Sequence, residues 1–120
     1  MTKMMKTTEI LNDMLEIPGL NAVVIVGKDG FLIESAGSLG QMDNDAFGAS
    51  VALVQNGVEN MSREVGLAAF HTITLEAANA MVMCVPAGDA LVVLFALDSK
   101  TLGMIRLQAK KYIPELTKLL

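Results

Sequence analysis

The sequence predicts an α+β domain on a single antiparallel sheet, in the order helix, two strands, long helix, three strands, helix (α-β-β-α-β-β-β-α). Three observations predict it. Apolar residues recur at helical spacing near the N-terminus, across residues 43–65 and again after residue 98. Five short runs of β-branched and large apolar residues lie between those helical segments. Within each group the runs are separated by tight turns, too short for the crossover a parallel pair needs, so neighbouring strands run antiparallel.

Taken in order, residues 8–17 place Ile10, Leu11, Met14 and Leu15 on one helical face, with Thr7 or Thr8 as the cap and Pro18-Gly19 as the stop. Strands follow at 22–26 and 31–35, on either side of the sequence GKDG. A glycine-lysine pair after a β-branched run is how phosphate-binding loops begin, but the spacing refuses that reading. The glycine required five positions before Gly27 is Ala22, and Asp29 stands where a hydroxyl should follow Lys28. Turn chemistry explains the same residues: Lys28-Asp29 form the centre of a type I turn, and Gly30 takes the left-handed position that closes a bulged hairpin. Residues 36–42, AGSLGQM, are a loop by composition.

The long helix opens at Asp43-Asn44-Asp45, which supplies a cap and negative charge where the helix dipole is positive. Phe47, Val51, Val54, Val58, Met61 and Val65 then recur at steps of four and three, an apolar stripe suited to lying across the sheet. Gly48, Ala49, Ala52 and Gly57 set small side chains beside it. An interior glycine costs about 1 kcal/mol of helix stability relative to alanine. Two explanations stand: another backbone comes close there, or the sites are exposed and have drifted.

Residues 70–76, FHTITLE, alternate, with His71, Ile73 and Leu75 on one face and Phe70, Thr72, Thr74 and Glu76 on the other. Ala78-Asn79 make the next turn. Residues 80–97 are nearly long enough and apolar enough for a membrane span, yet Pro86, Gly88 and Asp89 fall at the centre. Two buried strands, 81–85 and 91–97, joined through Pro86-Ala87-Gly88-Asp89, fit better. Asp98 or Ser99 then caps a helix carrying Leu102, Ile105, Ala109, Tyr112 and Leu116, which Pro114 should kink or interrupt.

With 120 residues, the chain suits one domain, 1–120. Hydrophobic residues reach 52% and charged ones 18%. A domain this small buries only about two-thirds of its unfolded surface, so some of that apolar material is expected to face another subunit. The net charge of −4 and the absence of Trp argue against nucleic acid, which needs a basic stripe and stacking platforms. The single cysteine, Cys84, excludes an internal disulfide and suits a reducing cytoplasm. The N-terminal stretch has no apolar core of signal-peptide length.

Nothing specifies a reaction, a metal or a cofactor. His71 is the only histidine, and no acidic residue sits at ligand spacing from it. Cys84 lies between apolar residues that raise a thiol's pKa. Asp43 and Asp45 read as capping groups. Arg106, Lys110 and Lys111 cluster near a helix C-terminus, where the dipole favours cations.

IPGLNAVVIVGKDGFLIESAG, the small-residue helix, ITLEAANAMVMCVPAGDALVVLFAL and DSKTLGMIRLQAKKY, in this order, resemble the Roadblock / dynein light chain family. The likeness is greatest to bacterial and archaeal members that partner a Ras-like GTPase, and it covers residues 8–113. It implies a five-stranded antiparallel sheet with the long helix on one face and the terminal helices on the other. It also implies a homodimer in which third strands pair edge to edge and long helices pack together. Carried onto this chain, strand pairing involves Thr72, Ile73 and Thr74, while Ala49, Ala52, Leu53 and Asn56 lie near the helix contact. The family has no catalytic residues of its own; its members bind small Ras-like GTPases as activators, scaffolds or adaptors. The expected function is therefore a non-catalytic homodimeric regulator of such a GTPase, cytoplasmic, with a structural adaptor as the alternative and an enzyme or small-ligand sensor third. Arg63 is the one arginine placed to reach a partner, against the plainer reading of a solvated side chain pairing with Glu59 or Glu64. Pro114 interrupts a terminal helix that usually continues.

Overall fold

The structure, a computed structural model, describes residues 3–38, 40–97 and 99–120. Two antiparallel meanders supply its sheet: β1 (Leu20–Gly27) with β2 (Leu32–Gly37), and β3 (Ile73–Glu76), β4 (Met81–Ala87) and β5 (Ala90–Ala96). β5 pairs with β1, so the strands lie in the order β2-β1-β5-β4-β3. Among the described residues four α-helices accompany the sheet, α1 (Lys3–Met14), α2 (Asn44–Glu64), α3 (Leu102–Ala109) and α4 (Ile113–Leu119).

Strand alternation sends side chains to two separate cores. Val23, Ile25, Met81, Met83, Val92 and Leu94 pack with Leu11 and Met14 of α1, Ile105 of α3 and Leu116 of α4. Val24, Val26, Cys84, Leu91 and Val93 face the other way, against Phe47 and Val51 of α2. The long helix thus has one face of the sheet and the other three helices share the opposite face, as the family resemblance implies.

GKDG turns the chain as its residues require. The Gly27 N–H donates to the Phe31 carbonyl at 2.8 Å and the Gly30 N–H to the Gly27 carbonyl at 2.9 Å. Gly30 sits at φ 91°, and the register shifts between Ile25 and Val26, the signature of a bulged hairpin. Asp29 seals it by accepting the Phe31 N–H at 3.1 Å. The β4–β5 turn is tighter than Pro86-Ala87-Gly88-Asp89: strand pairing persists to Ala87↔Ala90, leaving Gly88 and Asp89, with Gly88 at φ 62°. In a hairpin closed by a bonded Ala87–Ala90 pair, the next pair exchanges no hydrogen bonds. Pro86 therefore takes nothing from β5, and its missing N–H lies on the β3 side.

That proline explains a difference from the sequence reading. The third strand is expected over 70–76 but begins only at Ile73, opposite Cys84. β4 has no N–H to offer at Pro86, so residues 70–72 leave the ladder. The N-terminal helix differs too. It runs from Lys3, so Thr7 and Thr8 lie inside it rather than at its cap. Residues 3–6 are good helix formers, and apolar spacing cannot mark a start that such residues extend. After residue 98, which lies outside the described residues along with residue 39 of the 36–42 loop, a single 3₁₀ turn (Ser99–Thr101) precedes α3. Ser99 is thus not the α-helical cap; Thr101 occupies that position, and its side chain makes no capping bond to the first turn of α3. The break expected at Pro114 falls at residues 110–112, and the proline sits in the first turn of α4, where no N–H is missed.

A larger correction concerns α2. Of the stripe Phe47, Val51, Val54, Val58, Met61 and Val65, only Phe47 and Val51 pack into the core beneath the helix. The buried residues of the helix are Gly48, Val51, Gln55 and Ser62, while Val54, Met61 and Val65 are exposed. At 100° per residue the buried face lies about 70° round the helix from the centre of the apolar stripe.

Candidate interaction site

Gly48 fixes that rotation. A Cβ on Gly48 would stand 1.9 Å from the Gly30 carbonyl oxygen of the β1–β2 turn. Only a glycine lets the helix backbone settle on the hairpin at this point. The close backbone approach suggested by the small residues is therefore made at Gly48, by the chain's own turn. Gly57 is different: it points away from the sheet, and nothing lies within 4 Å of its missing Cβ. The N-terminus of α2 is held by Asp43, whose carboxylate accepts from the Asp45 and Ala46 N–H groups at 3.0 and 3.2 Å.

With Gly48, Val51, Gln55 and Ser62 turned inward, α2 carries apolar side chains on two outer flanks. One bears Val54, Met61 and Val65, the last two 59% and 64% exposed. The other bears Ala49, Ala52, Leu53 and Asn56, with Leu53 71% exposed and Ala52 half-buried. Gln55, by contrast, is only 5% exposed, its amide donating to Glu59 at 3.1 Å. A helix whose polar residues face its own sheet and whose leucine and methionine face outward is built to be covered again.

The sheet is unfinished on the same side. β3 is an edge strand, bonded to β4 alone. Ile73 is half-buried and packs into the α2-side core, Thr74 is exposed, and Thr72 lies just before the strand, half-buried. Cross-strand register aligns Leu75, Val82 and Phe95 in one row on the α2 face. Phe95 is met by the Phe47 ring at 5.5 Å between centroids, but Leu75 remains 66% exposed. All seven residues carried over for dimerization thus lie on an open helix flank or at an open strand edge. Val54, Met61, Val65 and Leu75 join them as exposed apolar side chains that sequence reasoning missed. Gln55 and Ser62 were the available signal, since they share a helical face with Gly48 and not with Val54.

Arg63 falls on the Leu53 flank by helical spacing, and its guanidinium donates to the Asn60 amide oxygen rather than pairing with Glu59 or Glu64. It borders a cleft of about 340 Å³ with Lys28, Gln55, Glu59, Ser62 and the 67–70 segment. Among the described residues, no three His, Cys, Asp or Glu side chains group as a metal site requires. Cys84 is buried against α2, and desolvation pushes its thiol up to about 11. That leaves it protonated and inert as a nucleophile at neutral pH. Nor is any helix of the described residues long and apolar enough to cross a membrane.

Comparisons with known proteins agree with this architecture. An uncharacterized protein of Methanocaldococcus jannaschii, MJ0714, is 28% identical over 102 residues, spanning 85% of this chain and 86% of its own. Myxococcus xanthus MglB superposes with a TM-score of 0.86 at 25% identity, covering 95% of this chain and 94% of that one. A structure described as MglB with tetrameric arrangement gives 0.88 at 20% identity, covering 98% and 89%. The sequence pattern of the Roadblock/LC7 domain matches residues 6–95, three-quarters of the chain, and the chain belongs to the Roadblock/LC7 family.

Proposed function

We propose that this chain is a non-catalytic, cytoplasmic homodimer that binds and regulates a small Ras-like GTPase. The single observation that carries the reading is the outward apolar surface of α2 beside the open edge of β3. Pairing two copies through β3 and the Ala49–Ala52–Leu53–Asn56 flank extends the sheet across both subunits and covers an edge that would otherwise invite aggregation. A stable interface of ordinary size takes about 800 Å² from each partner, roughly a tenth of the 7214 Å² this chain exposes. The flank bearing Val54, Met61 and Val65 then stays open for a third protein. Family membership supports a GTPase in that place, because Roadblock proteins resembling this one partner Ras-like GTPases. The tetrameric arrangement described for MglB supports self-association.

Light scattering of the purified protein gives the first test, with a mass of twice 12.8 kDa expected at micromolar concentration. Titration with Ras-like GTPases of the same genome, loaded with GDP or a GTP analogue, gives the second. Preference for one nucleotide state is the expected result. Equal affinity for both forms favours a structural adaptor instead, and no complex with any of them sinks the GTPase reading.

A further inference from the structure

A cleft of about 780 Å³ opens on the opposite side of the sheet from α2, between the approach to β3 and the α3–α4 break. Two prolines create it. Pro86 ends the β3 ladder and Pro114 fixes the first turn of α4, so that neither strand nor helix covers the end of β4. Met83, Val85 and Ile113 form its floor, and Val85 and Ile113 remain half-exposed there. Arg106 and Lys110, one turn apart on α3, stand on one wall, and His71 stands on the other. Among the described residues, no acidic side chain lines the cleft. Among the described residues none of these three side chains has a salt bridge.

The helix dipole accounts for Arg106 and Lys110 at the end of α3. It does not account for a histidine brought to the same cleft from a distant segment, nor for an uncovered apolar floor beneath them. In a chain of net charge −4 this is a local concentration of positive potential. An apolar hollow with a few convergent polar groups, of this volume, has the make-up of a small-molecule site. We infer that the cleft binds a small amphiphilic anion, a carboxylate or phosphate carried on a hydrocarbon body. The anion meets Arg106 and Lys110 while the hydrocarbon covers Val85 and Ile113. A bare anion would gain only from exposed charges, which is little. A neutral apolar molecule would cover the floor without answering the cations. Nucleic acid does not fit, because none of the lining residues is a Phe, Tyr or Trp that could form a stacking platform.

The test is a methyl and amide NMR titration of the full chain with octyl phosphate, with octanol, inorganic phosphate and hexaglutamate as comparisons. Saturable shifts at Thr72, Met83, Val85 and Ile113 are expected, with octyl phosphate binding at least about tenfold tighter than any comparison. Arg106→Gln with Lys110→Gln should lower its affinity to that of octanol, with the thermal melt unchanged because both side chains are exposed. Sedimentation with phosphatidylglycerol vesicles separates two sources of the same chemistry. Co-sedimentation that the double variant abolishes identifies a lipid headgroup; octyl phosphate binding without it identifies a soluble ligand. Shifts centred on Leu53 and Met61, octanol binding as tightly as octyl phosphate, or hexaglutamate binding more tightly would each overturn the inference. These readouts do not depend on GTPase binding.

Discussion

Replacing Gly48 by alanine sets two opposed effects against each other. Alanine favours the helix by about 1 kcal/mol over glycine. The new Cβ, however, would lie 1.9 Å from the Gly30 carbonyl oxygen, well inside the 3.3–3.6 Å at which carbon and oxygen ordinarily meet. The obstacle is backbone, fixed by the turn bonds at Gly27 and Phe31, so no rotamer change relieves it. α2 must lift from the hairpin by more than about 1 Å, loosening Val51 and opening Gln55 to water. Overpacking of this kind costs about 1–3 kcal/mol, and the net expectation is a loss of roughly 1–2 kcal/mol. Gly57→Ala is the matched control, because it carries the same helix gain into empty space and should stabilise the isolated chain by about 1 kcal/mol. Urea denaturation of both variants in parallel, at concentrations where the oligomeric state is the same, measures the difference. Equal stability of the two variants would refute the rotation assigned to α2.

Three further outcomes are expected. Asp43→Ala removes the acceptor for two N–H groups at the start of α2 and should cost about 1 kcal/mol, read by thermal or urea unfolding; Asp43→Asn should recover most of it. Leu53→Asp places a charge on the exposed flank without disturbing either core, so the unfolding of the isolated chain should stay within about 0.5 kcal/mol while light scattering shows the proposed dimer dissociating. Cys84 gives a pH signature. Its folded pKa is raised to about 11 from 9.0, so its contribution is complete below pH 9 and is lost as pH rises from 9 to 11. About 2–3 kcal/mol is at stake, and Cys84→Ala should flatten the stability profile in that window. Native Cys84 should also resist alkylation at pH 8 until denaturant is added.

Most of the fold was legible because its signals are local. Asp29 and Gly30 specify a bulged turn whatever surrounds them, and Gly88 specifies a tight one. Asp43 caps the helix that follows it. The errors arose where a distant residue decides: β3 starts late because Pro86, on the neighbouring strand, has no N–H to share. The candidate interface divides the same way. Family likeness placed Ala49, Ala52, Leu53, Asn56, Thr72, Ile73 and Thr74 at positions that are open, whereas Val54, Met61 and Val65 were assigned to the core. Arg63 could be placed on its helix but not matched with Asn60.

By itself, then, the sequence determined the order of the elements, both kinds of hairpin and the shared face of Ile73 and Leu75, though not that of His71, which lies before the strand begins, since alternation and turn geometry depend on near neighbours. Tertiary structure decided which side of α2 meets the sheet. An α-helix with small or apolar residues on several flanks has no preferred rotation until something outside it chooses. Here the choice is made by the carbonyl of Gly30, which leaves room beneath the helix for a glycine and for nothing larger.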